Sequence, residues 1–190
     1  MPILAPMPCG EGCHADADRP RLFHLDWRAN VCFACAMTLY FAYGSNMSRA
    51  LMRTHCPTAR EVGTAVLDAY RFVINVDGYA SVERCGGGRV HGVLWRLTPR
   101  DLAALNIYEG VDAGLYRGRR LVVRHASQRT NALVYIARPC GHGKPKPGYL
   151  ELVTAAARAW DFPQSYVCEI ARWASSGLNA ARALSTGEIR

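Results

Sequence analysis

Leu39-Tyr40-Phe41-Ala42-Tyr43-Gly44-Ser45-Asn46 is a short apolar run that stops at a turn. Its first five residues hardly alternate between apolar and polar, which predicts a strand buried on both faces rather than one with a wet side. Gly44-Ser45-Asn46 then breaks the strand, and the text from Asn46 to Arg53 reads as a short helix halted before Pro57. Ser45 or Asn46 is the expected N-cap. A strand that turns directly into a helix leaves unpaired backbone N–H groups at the junction. Such groups suit an anion or a developing oxyanion, and Gly44 lets a ligand come close to the backbone.

Downstream of this junction the elements follow at short intervals. Ala65–Val76 and Tyr79–Glu83 read as strands joined at Asp77-Gly78, a hairpin signal. Gly86-Gly87-Gly88 is expected to be a flexible tip, and Val90–Leu97 a further strand. A helix begins at Thr98-Pro99-Arg100-Asp101, with Thr98 as N-cap and Pro99 in the first helical position. Leu102, Leu105 and Ile107 are expected on its buried side, with Gly110 at its end. Tyr116–His125 and Asn131–Ala137 are two more strands, 139–147 a Gly/Pro loop, and Tyr149–Trp160 and Pro163–Ser175 closing helices. About six strands with few helices between them predict an α+β fold rather than a doubly wound sheet.

Upstream, residues 1–36 are rich in Pro, Gly, Asp and Cys and lack sustained periodicity. They read as a poorly ordered N-terminal extension, or as sequence ahead of a true start at Met37. The folded domain is expected over 37–175, with 176–190 as a C-terminal tail. Cys9, Cys13, Cys32 and Cys35 form C-x3-C followed 18 residues later by C-x2-C, close to a zinc-ribbon spacing. No hairpin pattern surrounds them, so incidental thiols in a loose tail are the preferred reading. No metal site is expected.

The 190 residues suit one domain with a proper core, and no apolar run approaches the roughly 20 residues that cross a bilayer. The first twenty residues lack the pattern of a secretory signal, which points to the cytoplasm. The formal charge of +8 raises nucleic-acid binding, but 21 of the 23 basic residues are arginines scattered along the chain. Their one dense cluster, Arg117, Arg119, Arg120 and Arg124, reads as the solvated face of a strand; a lure for an anionic substrate is the sharper alternative. No nucleic acid and no membrane partner is expected. Oligomeric state is not legible.

The sequence holds no phosphate loop, no H-E-x-x-H and no G-x-S-x-G. What remains for chemistry, besides the Gly44 junction, is Tyr108-Glu109-Gly110. Glu109 falls where a helix stops, at the negative end of its dipole, and among apolar neighbours (Tyr108, Val111, Leu115) its pKa would rise toward values useful for proton transfer. A plain surface glutamate is the alternative.

Taken together, Tyr40-Phe41-Ala42-Tyr43-Gly44-Ser45-Asn46-Met47, Tyr108-Glu109-Gly110-Val111 and Gly114-Leu115-Tyr116 closely resemble the γ-glutamylcyclotransferase family. Gly92-Val93-Leu94-Trp95 and Pro147-Gly148-Tyr149 fall in the order the family shows, and the likeness spans roughly 39–173. The resemblance implies a small mixed β-barrel flanked by helices. It implies Glu109 as the catalytic acid/base, Tyr40, Phe41, Ala42, Tyr43, Gly44, Ser45 and Asn46 as the substrate-holding loop, and Tyr116 and Tyr149 as aromatic lining. It also implies a small γ-glutamyl substrate closing on itself to 5-oxoproline with loss of an amine or amino acid, and no cofactor. A non-catalytic γ-glutamyl-binding relative and a basic nucleic-acid binder are the other readings. The family's glutathione-specific branch usually carries Y-G-S-L, where this chain has Asn46.

Overall fold

The computed structural model describes residues 37–138 and 141–185, with side chains through Ala174. The expected extension 1–36, with its four cysteines, and residues 186–190 lie outside the described residues.

Five strands form a closed barrel in the order β1-β3-β2-β4-β5. The first, β1 (Thr38–Ala42), is as buried as its composition predicts: Tyr40, Phe41 and Ala42 all lie in the core. It runs antiparallel to β3 from Thr38↔Leu97 to Ala42↔Val93, and parallel to β5 at Tyr40↔Leu133. That parallel contact makes the barrel mixed. Gly92 permits the closeness of β1 and β3. A Cβ there would stand 2.4 Å from the Ala42 carbonyl oxygen and 2.6 Å from Cζ of Phe41.

The hairpin that builds most of the wall pairs β2 (Arg60–Ile74) with β3 (Ala80–Leu97). Its turn is the expected one: Gly78 has a φ of +84°, and the Asn75 side chain accepts from the Tyr79 amide at 2.9 Å. The expected flexible tip at Gly86-Gly87-Gly88 is not a tip, and the two strands around it are one strand of 18 residues. Tyr70 pairs Arg84 while Asp68 pairs Arg89, so Cys85–Gly88 oppose Ala69 alone as a wide bulge. Gly87 has a φ of +77°, and a Cβ on Gly88 would meet the Tyr70 carbonyl at 2.5 Å. The glycines therefore serve pairing, and the barrel has five strands instead of six.

The wall closes with β4 (Tyr116–His125) and β5 (Gln128–Ala137), paired in register along their whole length. The arginines of β4 do face solvent, and Arg124 is bound to Asp68 at 3.1 Å.

Four helices flank the barrel: α1 (Arg49–His55), α2 (Pro99–Tyr108), α3 (Tyr149–Ala159) and α4 (Gln164–Ser185). Between β1 and α1 the chain makes one 3₁₀ turn, Ser45–Met47, so the N-cap of α1 is Ser48, which accepts from the Leu51 amide, and not Ser45 or Asn46. The last helix runs ten residues past the expected stop at Ser175. Leu150, Val153 and Ala157 of α3 and Tyr166, Val167 and Ile170 of α4 carry the apolar stripe that seats both helices in the core. Among the described residues no helix is long and apolar enough to cross a membrane.

Candidate active site

Glu109 reaches its place through the chemistry of α2. Thr98 and Asp101 form a reciprocal capping box that starts the helix, with Pro99 in the first turn. The Asp101 carboxylate is buried, which by itself would raise its pKa, but hydrogen bonds from Thr58 and Thr98 hold it below the usual range. These bonds tie the helix to the segment after α1 (Thr58 Oγ1 to Asp101 Oδ2, 2.7 Å). At the other end Glu109 is the C-cap, and Gly110 (φ +60°) turns the chain away. The Val111 amide donates to Asn106 at 3.0 Å, closing the turn. Leu105 is fully buried beneath. Ile107, expected on that buried side, points outward and is 79% exposed, because its position on the 100° wheel faces away from Leu105.

The Glu109 carboxylate enters a cavity of about 440 Å³, within the usual size of small-molecule sites. Tyr40, Tyr43, Tyr116, Tyr135 and Tyr149 supply much of the wall, and the bend Gly44–Asn46 lies across from it. Asn46, itself buried, donates from Nδ2 to Glu109 Oε1 at 2.8 Å and to the Tyr40 hydroxyl at 3.2 Å. Burial pushes the Glu109 carboxyl up to about 7, against the opposing pull of the Asn46 amide. The carboxyl group therefore exchanges its proton near neutrality. The Asn46 Oδ1 atom is buried without a partner among the described residues.

A second group of contacts fixes the opposite wall. The Tyr149 hydroxyl accepts from the Ala80 amide at 3.2 Å and is hydrogen-bonded to Ser45. Burial holds its pKa up at about 12, so it stays protonated. Tyr116 donates to the Ala80 carbonyl at 2.8 Å, and Tyr43 donates to the Tyr135 carbonyl at 2.5 Å. Gly44 makes room for this: a Cβ there would stand 2.9 Å from the Tyr149 hydroxyl.

The structure thus gathers Glu109, Tyr40, Tyr43, Gly44, Ser45, Asn46, Tyr116 and Tyr149 around one cavity. Phe41 and Ala42 do not line it. Both are wholly buried behind the wall, Phe41 because successive strand residues point to opposite faces, and Ala42 packed behind Gly92. Sequence reasoning passed over Tyr79, Tyr135, Leu51 and Leu152, which also line it. Tyr135 enters through the barrel pairing, since strand alternation in β5 puts it on the face of Leu133, the partner of Tyr40. Among the described residues no cluster of His, Cys, Asp or Glu suits a metal ion.

Barrel and helices together thus enclose a cavity of small-molecule size with one buried carboxyl group in its wall. A sequence model of the AIG2-like family matches residues 89–170. The mouse protein named gamma-glutamylcyclotransferase is 25% identical over 139 residues, covering 67% of this chain and 74% of its own. The human protein of that name is 26% identical over 141 residues with the same coverage. Among solved structures, one named gamma-glutamyl cyclotransferase superposes with a TM-score of 0.66 at 23% identity, covering 70% of this chain and 86% of its own. YkqA from Bacillus subtilis superposes at 0.65 and 24% identity, over 75% of this chain and 55% of its own. These two structures share the fold. The chain is thus similar to the AIG2-like family over residues 89–170, and to proteins named gamma-glutamylcyclotransferase over two thirds of its length.

Proposed function

We propose that this protein cyclises a γ-glutamyl group to 5-oxoproline and releases the attached amine or amino acid. The observation that carries this reading is the Glu109 carboxyl group, poised near pH 7 inside a tyrosine-walled cavity and held by Asn46 at 2.8 Å. The names of the relatives agree with it.

In the reaction the substrate's α-nitrogen attacks its own γ-carbonyl carbon. A C–N bond closes the five-membered lactam and the bond to the departing nitrogen breaks. Two protons leave the α-nitrogen and two arrive on the departing one. Ionised Glu109 accepts from the α-ammonium and returns protons to the leaving nitrogen, a role typically worth about 10²–10⁴-fold. The Tyr149 hydroxyl, held by Ser45 and Ala80, donates to the carbonyl oxygen as it turns anionic, or to the α-carboxylate. Holding amine and carbonyl together supplies the large entropic part, up to about 7–11 kcal/mol for a well-oriented intramolecular attack. No enzyme nucleophile takes part.

The test is a panel of γ-glutamyl amides and dipeptides incubated with the protein, with 5-oxoproline read by mass spectrometry. Release from at least one member, above the uncatalysed rate, is expected. Tight binding of panel members without any 5-oxoproline favours a non-catalytic binder and rejects the proposal.

A further inference from the structure

Among the described residues lining the cavity Glu109 is the one charged side chain, and none is Lys, Arg or His. The same absence shows in the electrostatics of the wall: no cation figures among the groups acting on Glu109, Tyr40, Tyr43, Tyr116 or Tyr149. Toward solvent the cavity becomes apolar. Seven large hydrophobic side chains are exposed among the described residues, and four of them, Tyr79, Tyr108, Leu115 and Leu152, line this cavity. Ile107 adjoins Tyr108, and Val76 lies in the hairpin turn with Tyr79. Only Val122 is elsewhere, on β4. An exposed apolar patch gathered at the mouth of a cleft marks what the cleft is built to hold.

A γ-glutamyl group brings one ammonium and one carboxylate of its own. Glu109, held by Asn46, answers the first, and the donors around Tyr149 answer one anion. A second carboxylate, such as a departing amino acid carries, would have to leave water beside Leu115 and Leu152 with no Lys, Arg or His among the described lining residues to meet it, which is costly; the basic residues His55, against Tyr108, and Lys146, against Gly78, stand outside that lining. An aromatic or aliphatic body in the same place would gain by burial. Resting on the activity argued above, we propose that the site selects γ-glutamyl amides whose departing amine bears an apolar or aromatic body and no carboxylate. Leu115, Leu152, Tyr79 and Tyr108 are the residues that make the choice.

Three substrates separate the terms: γ-glutamyl-phenethylamide, γ-glutamyl-phenylalanine, which adds only a carboxylate, and γ-glutamyl-ethylamide, which removes only the ring. The phenethylamide is expected to exceed both by about tenfold or more in kcat/KM, as a desolvated ring or an unpaired charge would dictate. Equal or faster turnover of γ-glutamyl-phenylalanine overturns the proposal while leaving the cyclotransferase reading intact, and so does parity with the ethylamide. Absence of 5-oxoproline from all three overturns both. A Leu152→Arg variant supplies a cation on an exposed helical position and is expected to narrow the gap between phenylalanine and phenethylamide substrates. An unchanged ratio contradicts the assignment of the mouth.

Discussion

Replacing Glu109 by Gln is expected to stabilise the protein, and to do so only above the acid range. The native carboxyl titrates at about 7, whereas an unfolded glutamate titrates at 4.5. Between those values the folded state binds more protons than the unfolded one, so stability falls as pH rises through the window and stays at its lower value above 7. A displacement from 4.5 to about 7, at about 1.36 kcal/mol for each pH unit, amounts to roughly 3 kcal/mol, and to about 2 after allowing for the side chain's partial access to solvent. Glutamine keeps the shape and still accepts from Asn46 Nδ2, but has no charge to desolvate. Urea unfolding of both proteins at pH 4.5, 6 and 8 measures the difference. The two should match near pH 4.5, and Glu109→Gln should be the more stable by about 2–3 kcal/mol at pH 8. Equal stability at pH 8, or a gap that shrinks as pH rises, would refute the claim that this carboxylate is held against its solvation.

Two other perturbations probe the surroundings. In Asn46→Leu the carboxylate loses the hydrogen bond that favours its charged form, so the acid limb of the kcat/KM profile should move to higher pH than in the parent; a limb that stays in place means the amide does not act on Glu109. In Gly92→Ala the added methyl meets the Ala42 carbonyl at 2.4 Å and the Phe41 ring at 2.6 Å, and forcing β1 from β3 should cost about 3 kcal/mol, read from the urea midpoint; a loss below about 0.5 kcal/mol would show that the strands can part freely.

The legible parts of this protein are those where one local rule decides. A run as continuously apolar as Leu39–Tyr43 fits only a doubly buried strand, and Thr98-Pro99-Arg100-Asp101 states its capping box in the text. Asp77-Gly78 named its turn in the same way. Errors arose where long-range pairing overrode local preference. Three consecutive glycines read as a break, yet β2 supplies partners on both sides and a bulge at Ala69 absorbs the excess, so the strand continues. Ile107 stands two residues from Leu105, on the opposite side of the helix, so it could not share the buried face. In the site, Glu109 and Asn46 were recognisable by motif resemblance, but their contact across 63 positions depends on how α2 and the Gly44 bend are set around the barrel. The partition of Tyr40–Asn46 into lining and buried members needed the direction of each side chain. Tyr135 and Leu152 belong to no motif and enter by topology alone.

Turnover by Glu109→Gln bears most directly on the proton-transfer role. With any substrate the parent protein converts, the variant is expected to keep its fold while 5-oxoproline release falls by at least about 10²-fold in kcat. Release at the parent rate would mean that protons travel by another route, and that the carboxyl group in the tyrosine cavity is not the catalyst.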